Sequence, residues 1–315
     1  MKKYGYLFPG QGAQQTGMGR EIFESSPRAR AVFEKANRIL GYDLAKICFE
    51  GPESELTKTN ISQPAIFTAS IAALEALREK AGTDELPASV TAGLSLGEYT
   101  ALVFAGALAF EDGLKIVHLR GTYMQKACDE RPGAMASIIG LSAKEVEQVV
   151  EEVRGNGILT AANYNSNEQI AISGEVELVK KAADAAKAKG AKRAMVLNVA
   201  GAFHSRLMDS AAESLIPHIK AANVRPPRVP FYANVTGEIA SDPKEIRANL
   251  IKQVNNPVRW AQTMEKILSA GNREFLEVGP GNVLAGLLKR TAPDAKVAGI
   301  LLKSQIEAVA TGAQA

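Results

Sequence analysis

Two cysteines, three histidines and one tryptophan are all that this chain of 315 residues holds of those types. Cys48 and Cys128 lie far apart and lack metal-ligand spacing. Both fall in stretches of apolar periodicity and are expected to be buried free thiols. With only His118, His204 and His218 available, a histidine-rich metal site is not expected. No apolar run approaches the length of a membrane span. The first residues, Met1 to Pro9, lack the apolar stretch and cleavage site of a secretory signal, so a cytoplasmic protein without membrane association is expected. The net charge is only +3 and no basic run stands out, which argues against nucleic acid as a partner. What is present is ordinary for a soluble globular protein: 46% apolar and 23% charged residues. The length suffices for one large domain or two smaller ones.

Strand-like and helix-like segments alternate along most of the chain. Residues 4–8 read as a strand stopped by Pro9-Gly10. Residues 28–40, 63–80 and 112–128 carry a period near 3.6 and read as helices, with Pro64 in the first turn of the second. Such alternation predicts an α/β body with a parallel sheet. Residues 129–197 differ. Strands at 134–140, 158–164, 169–173 and 194–199 enclose helices at 142–153 and 176–189, the first opening on the capping box Ser142 and Glu145. The order βαββαβ is that of a ferredoxin-like unit. The expected division is a discontinuous hydrolase-like body, 1–128 and 198–315, with an inserted subdomain at 129–197. Beyond the insert we expect a helix at 204–221, kinked or cut short by Pro217, and a loop at 225–228. A strand at 229–234, helices at 245–253 and 259–269, a strand at 275–278 and a helix at 283–290 follow. A frayed tail is expected at 303–315.

The chemistry-bearing stretch is Gly93-Leu94-Ser95-Leu96-Gly97. A short apolar segment, 88–92, precedes it and a helix-like one, 98–105, follows. Strand, G-x-S-x-G and helix is the setting of a nucleophile elbow, where glycines permit a sharp turn that holds out the serine hydroxyl. The same pattern also fits an ordinary strand-to-helix turn with a capping serine. A serine nucleophile needs a base, most often histidine. His204 follows a strand end, where α/β sheets place their sites. His118 lies mid-helix and reads as structural, and His218 as a surface residue. An oxyanion needs donors: the Leu96 N–H is one, and the Gly10-Gln11-Gly12 loop offers another. That loop lacks the third glycine of a dinucleotide fingerprint and the lysine of a P-loop, although a plain turn remains open.

Taken together, Phe8-Pro9-Gly10-Gln11-Gly12-Ala13-Gln14, Gly93 to Tyr99, Arg120-Gly121 with Met124-Gln125, and Ala202-Phe203-His204-Ser205 resemble the malonyl-CoA:acyl-carrier-protein transacylase family. So do Asn163-Tyr164-Asn165 with Gln169 and Ile172-Ser173-Gly174, Gln253 to Trp260, and Glu277 to Gly281. The resemblance runs in order over residues 4–303. It implies a hydrolase-like body with a ferredoxin-like insert, and malonyl transfer from malonyl-CoA to the phosphopantetheine thiol of holo-acyl carrier protein. The product would supply fatty-acid synthesis; a trans-acting role for a polyketide synthase is the alternative. By the same resemblance Ser95 carries the malonyl ester and His204 is its base. An oxygen of Gln253 orients the imidazole, and the Gln11 and Leu96 N–H groups hold the oxyanion. Arg120, which by sequence alone reads as one more solvated arginine, would pair with the malonyl carboxylate through two hydrogen bonds. Phe203, Met124 and Leu94 would shape acyl selectivity, Phe203 by leaving little room for an α-methyl group. Leu94 departs from the family, many of whose members have histidine there. No metal or redox cofactor is implied, and a monomer with a local Lys/Arg patch for an acidic carrier is expected.

Two rivals stand against this reading. A serine esterase or thioesterase is allowed by the elbow, but the α/β-hydrolase order puts its histidine near the C-terminus, and here the last is His218. A non-catalytic docking protein would have no need of both Ser95 and His204.

Overall fold

A computed structural model describes residues 2–312. Its first half is β1 (Tyr4–Phe8), α1 (Arg20–Ser25), α2 (Pro27–Leu40), α3 (Leu44–Glu50), α4 (Glu53–Leu56), α5 (Thr59–Ala81), β2 (Ala88–Gly93), α6 (Gly97–Phe104) and α7 (Phe110–Glu130). The middle holds β3 (Ala134–Ile139), α8 (Ala143–Arg154), β4 (Leu159–Ser166), β5 (Gln169–Gly174), α9 (Val176–Ala188) and β6 (Arg193–Val196). A 3-10 turn, Arg206–Met208, leads to α10 (Asp209–Ala221), α11 (Pro243–Gln253), α12 (Trp260–Ser269), β7 (Glu274–Val278), α13 (Val283–Thr291), β8 (Lys296–Ile300) and α14 (Lys303–Thr311).

Two sheets result. The body holds a parallel sheet in the order β2-β1-β7-β8. Phe8 pairs with Gly93 and Leu7 with Glu277, so the loops after β1, β2 and β7 leave from one carboxyl edge, where α/β sheets bind ligands. The second sheet is antiparallel, in the order β4-β5-β3-β6, the ferredoxin-like arrangement. Its own core includes Ile138, Val146, Ile170 and Val179. The expected α/β fold, with a hydrolase-like body and a ferredoxin-like insert, is found. Local signals explain several element ends. Ser26 caps α2 by accepting the Ala29 N–H, ahead of Pro27 at its first position. The Ser142–Glu145 capping box opens α8.

α5 is buried along most of its length and packs against α2, α7 and α14. It starts four residues before the predicted boundary, so Pro64 lies inside it rather than in its first turn. α7 crosses the start of α5 at Gly121, where a Cβ would fall 2.6 Å from the Thr59 carbonyl oxygen. Only a glycine allows this approach, which brings Arg120 beside Gln63.

Several expectations need correction. Residues 229–234 form no strand: Phe231 and Tyr232 make single bridges, to Thr91 and Ile239. The segment instead supplies Asn234 to the turn after β2. The predicted helix at 204–221 begins later, because His204 has a φ of 58° that no helix accepts. Pro217 does not end α10, which runs on to Ala221. The expected frayed tail is the helix α14 through Thr311, anchored by Ile306 and Val309; residues 313–315 lie outside the described part. The short α1, α3 and α4, and strand β8, were not predicted. Cys48 and Cys128 are free and buried, as expected.

Candidate active site

β2 ends in a turn that the flanking glycines make possible. A Cβ at Gly93 would lie 2.0 Å from the Gly97 carbonyl carbon, and one at Gly97 2.1 Å from the Phe8 carbonyl oxygen. Ser95 sits between them with a φ of 52°. Ser95 and His204 are the only non-glycine residues with positive φ among the described residues. Such conformations cost about 1–3 kcal/mol each and persist only where the surroundings impose them. At Ser95 the constraint is Asn234. Its Oδ1 accepts the Ser95 N–H at 2.7 Å and its Nδ2 donates to the Gly93 carbonyl at 2.7 Å. One amide thus ties both limbs of the turn.

The Ser95 hydroxyl is held from two sides. It lies 2.8 Å from His204 Nε2 and accepts from Arg120 Nη2 at 2.9 Å. His204 Nδ1 is 2.8 Å from the Gln253 carbonyl oxygen. A carbonyl can only accept, so Nδ1 carries the proton and Nε2 is left to accept from Ser95 Oγ. Burial first, and the Arg120 charge second, push the His204 pKa down to about 4. The imidazole is therefore neutral at pH 7 and able to take a proton.

Arg120, far from being a solvated arginine, is 1% exposed. Its Nη1 donates to Gln63 Oε1 at 2.6 Å and its Nη2 to Gln253 Oε1 at 2.9 Å, and Nε is buried without a partner. The Gln253 side chain also donates through Nε2 to the Ser95 carbonyl at 2.6 Å and to Glu98 Oε2 at 2.7 Å. Glu98 is buried and accepts the Asn234 N–H as well, at 3.0 Å. Desolvation raises its pKa to about 7, against the hydrogen bonds from Asn234 and Gln253 and the Arg120 charge.

Ser95 opens into a cleft of about 540 Å³ lined both by the loops after β1 and β2 and by residues of β3, β4 and β5. Gln11, Leu94, Met124, Phe203 and His204 line it, together with Val283 and Leu287 of α13. The Glu277 carboxylate fixes the start of α13 by accepting the Leu284 and Ala285 N–H groups. Leu96 does not line the cleft; its side chain is fully buried, so its backbone N–H is what the position offers. Neither that N–H nor the one of Gln11 has a partner among the described residues. His118 and His218 lie elsewhere. His118 is half-buried on α7, and His218 is half-buried rather than fully at the surface, 3.2 Å from the Tyr123 hydroxyl. No cluster of three metal-ligating side chains occurs among the described residues.

Glu98, Asn234 and Gln63 escaped the sequence reading of the site. Asn234 and Gln63 carry no local motif, and their roles arise from contacts across 139 and 57 positions. Glu98 lies inside the run Gly93 to Tyr99, but nothing in that run assigns it a role.

Residues 5–311 match the acyl transferase domain family. A malonyl CoA-acyl carrier protein transacylase of Bacillus subtilis is 43% identical over 291 residues, covering 92% of this chain and 90% of that protein. Its counterpart in Escherichia coli K12 is 40% identical over 290 residues, covering 92% and 93%. Among solved structures, a malonyl-transacylase in complex with a type II PKS acyl-carrier protein has a TM-score of 0.94 at 38% identity, covering 99% of this chain and 100% of that one. The malonyl CoA-acyl carrier protein transacylase of Coxiella burnetii has a TM-score of 0.93, also at 38% identity, covering 98% and 97%.

Proposed function

This chain belongs to the acyl transferase domain family, and from that premise we propose the course by which it moves a malonyl group from malonyl-CoA to the phosphopantetheine thiol of holo-acyl carrier protein. The observation that carries this reading is a buried guanidinium in hydrogen-bond contact with a serine hydroxyl that also meets a neutral imidazole. A nucleophile beside a desolvated cation suits an acyl group that ends in a carboxylate.

In the first half-reaction Ser95 Oγ attacks the thioester carbonyl and its proton passes to His204 Nε2. The Gln253 carbonyl keeps the imidazole in the required tautomer and stabilises the imidazolium. The oxyanion is received by the Gln11 and Leu96 N–H groups; losing one such donor typically costs about 3 kcal/mol of transition-state stabilisation. CoA leaves with the proton from His204, and malonyl-Ser95 remains. The carrier thiol then gives its proton to His204, attacks the ester and takes the malonyl group, and Ser95 regains the proton. The malonyl carboxylate pairs with Arg120 throughout, which fixes the reacting carbonyl as well as selecting the acyl group. Phe203, Met124 and Leu94 bound the space around it.

The division into a body of residues 1–128 and 198–315 and an insert of 129–197 belongs to the same proposal. So do a monomeric state, checked by sedimentation, and a cytoplasmic location, checked by cell fractionation. No helix among the described residues is long and apolar enough to cross a membrane. For the acidic carrier, Lys192, Arg193 and Arg290 line a hollow of about 570 Å³ that shares Gln169 with the cleft.

The test is an intact-protein mass spectrum after brief exposure to malonyl-CoA. One malonyl group is expected on the native chain and none on Ser95→Ala, with loss of the group on adding holo-acyl carrier protein. An adduct cleared by water at the same rate without carrier would make the protein a hydrolase.

A further inference from the structure

The site keeps a guanidinium, an imidazole and a carboxyl out of solvent, and the carboxyl has no part in acyl transfer as described. Arg120, His204 and Glu98 are 1%, 3% and 1% exposed. Glu98 is joined to Arg120 through one amide: Gln253 Nε2 donates to Glu98 Oε2 at 2.7 Å, and Gln253 Oε1 accepts from Arg120 Nη2 at 2.9 Å. The charged and titratable groups around Glu98 come from three places. Arg120 lies on α7, Tyr99 on the same helix as Glu98, and His204 before the 3-10 turn. α11 and the 231–234 segment contribute the neutral Gln253 and Asn234.

Above about pH 7 and without substrate this buried set carries one guanidinium and one carboxylate, and the charges balance. A malonyl carboxylate on Arg120 adds a second negative charge to a single positive one. An unbalanced buried charge is costly, and the usual remedy is protonation of the group whose charge is least supported. The malonyl carboxylate would touch the guanidinium directly, whereas Glu98 reaches it only through an amide. Burial already holds Glu98 near neutrality, at a pKa of about 7.

We propose that Glu98 is a positioning residue that takes up a proton from solvent when a malonyl group docks on Arg120, and returns it when the group leaves. The proposal rests on the reading of Arg120 as the partner of the acyl carboxylate. Protonated Glu98 keeps acceptor lone pairs on both oxygens, so the bonds from Gln253 Nε2 and the Asn234 N–H survive the uptake and the amide stays where it is. The net charge of the buried site then stays constant through binding, acylation and release. An acetyl group carries no carboxylate and moves no proton.

The sign follows from linkage: binding that takes up a proton weakens as pH rises. The malonyl-CoA affinity therefore falls above about pH 7, by up to about tenfold per unit, until the carboxyl of the complex itself ionises.

The test uses Ser95→Ala, which binds acyl-CoA without reacting. Titration calorimetry at pH 7.5, in two buffers of different ionisation enthalpy, counts the protons exchanged. Net uptake is expected with malonyl-CoA. None is expected with acetyl-CoA, which carries the same phosphates, or with malonyl-CoA when Glu98→Gln is added. No uptake with malonyl-CoA overturns the proposal, and uptake that persists with Glu98→Gln does so by assigning the proton to His204. Independently of that variant's stability, the native chain should show a malonyl-CoA KM that climbs above pH 7 while the acetyl-CoA KM stays level. A level malonyl-CoA KM overturns the role of Glu98. A native chain that forms malonyl-Ser95 without proton uptake loses only this proposal, whereas one that forms no adduct loses the reading of Arg120 and this proposal with it.

Discussion

Ser95 Oγ donates toward His204 and accepts from Arg120, so each neighbour can be probed separately. Arg120→Ala should lower kcat/KM for malonyl transfer by roughly 30- to 5000-fold, the cost of truncating one partner of a desolvated charge pair. Acetyl transfer should fall far less, and equal losses would contradict the carboxylate role. Phe203→Ser should admit methylmalonyl groups, read as the methylmalonyl-to-malonyl ratio of Ser95 adducts. Because burial and Arg120 depress the His204 pKa to about 4, the imidazole stays neutral above that pH. Single-turnover loading of Ser95 should thus hold steady down to about pH 5 and decline only below, instead of falling through the ordinary histidine range. Ser95, His204, Arg120 and Gln253 could be named from sequence because each sits in a recognisable run of residues. Asn234 could not. The amide that shapes the Ser95 turn lies 139 positions away in a segment that looked like a strand, and apolar alternation over 229–234 says nothing about hydrogen bonds to another loop.

At the scale of elements, long periodic segments were legible and short ones were not. α2 and α7 each carry enough turns for an apolar face to show, and α5 is long and buried almost all round. α4 has four residues and takes its place from packing against α5, so no period announces it. β8 was missed because three of its five residues are only half-buried and one is exposed. α14 looked like a tail because its buried face is only Ile306 and Val309. The crossing of α7 over α5 yields a sharper expectation. Gly121→Ala would force a Cβ against the Thr59 carbonyl oxygen and the Asn60 Cα, at 2.6 and 2.8 Å. Overpacking of this kind costs about 1–3 kcal/mol, visible in the denaturant midpoint. It should also erode the preference for malonyl over acetyl, because the crossing sets the bond between Gln63 and Arg120.

Over the whole molecule, the antiparallel sheet is stitched near the cleft to the segment that leads into α12. Val258 of the body donates to the Ala162 carbonyl of β4 and accepts the Tyr164 N–H, at 2.8 and 2.9 Å. Whole-molecule charge gave little guidance, since a net +3 conceals where the cations lie. The three cations of that hollow, Lys192, Arg193 and Arg290, come from β6, its preceding turn and α13, segments far apart in the chain. If it receives the carrier, Lys192→Glu with Arg290→Glu should raise the KM for acyl carrier protein at least severalfold. The salt dependence of that KM should also flatten. The backbone at Ser95 and His204 has one more consequence. The Ser95 and His204 side chains both hang from conformations that only the intact surroundings enforce. A slight loosening on warming should let these two residues relax while sheet and helices persist. Reversible loss of Ser95 loading should then precede the loss of circular dichroism by several degrees, making the enzyme's own turnover the earlier thermometer of its melting.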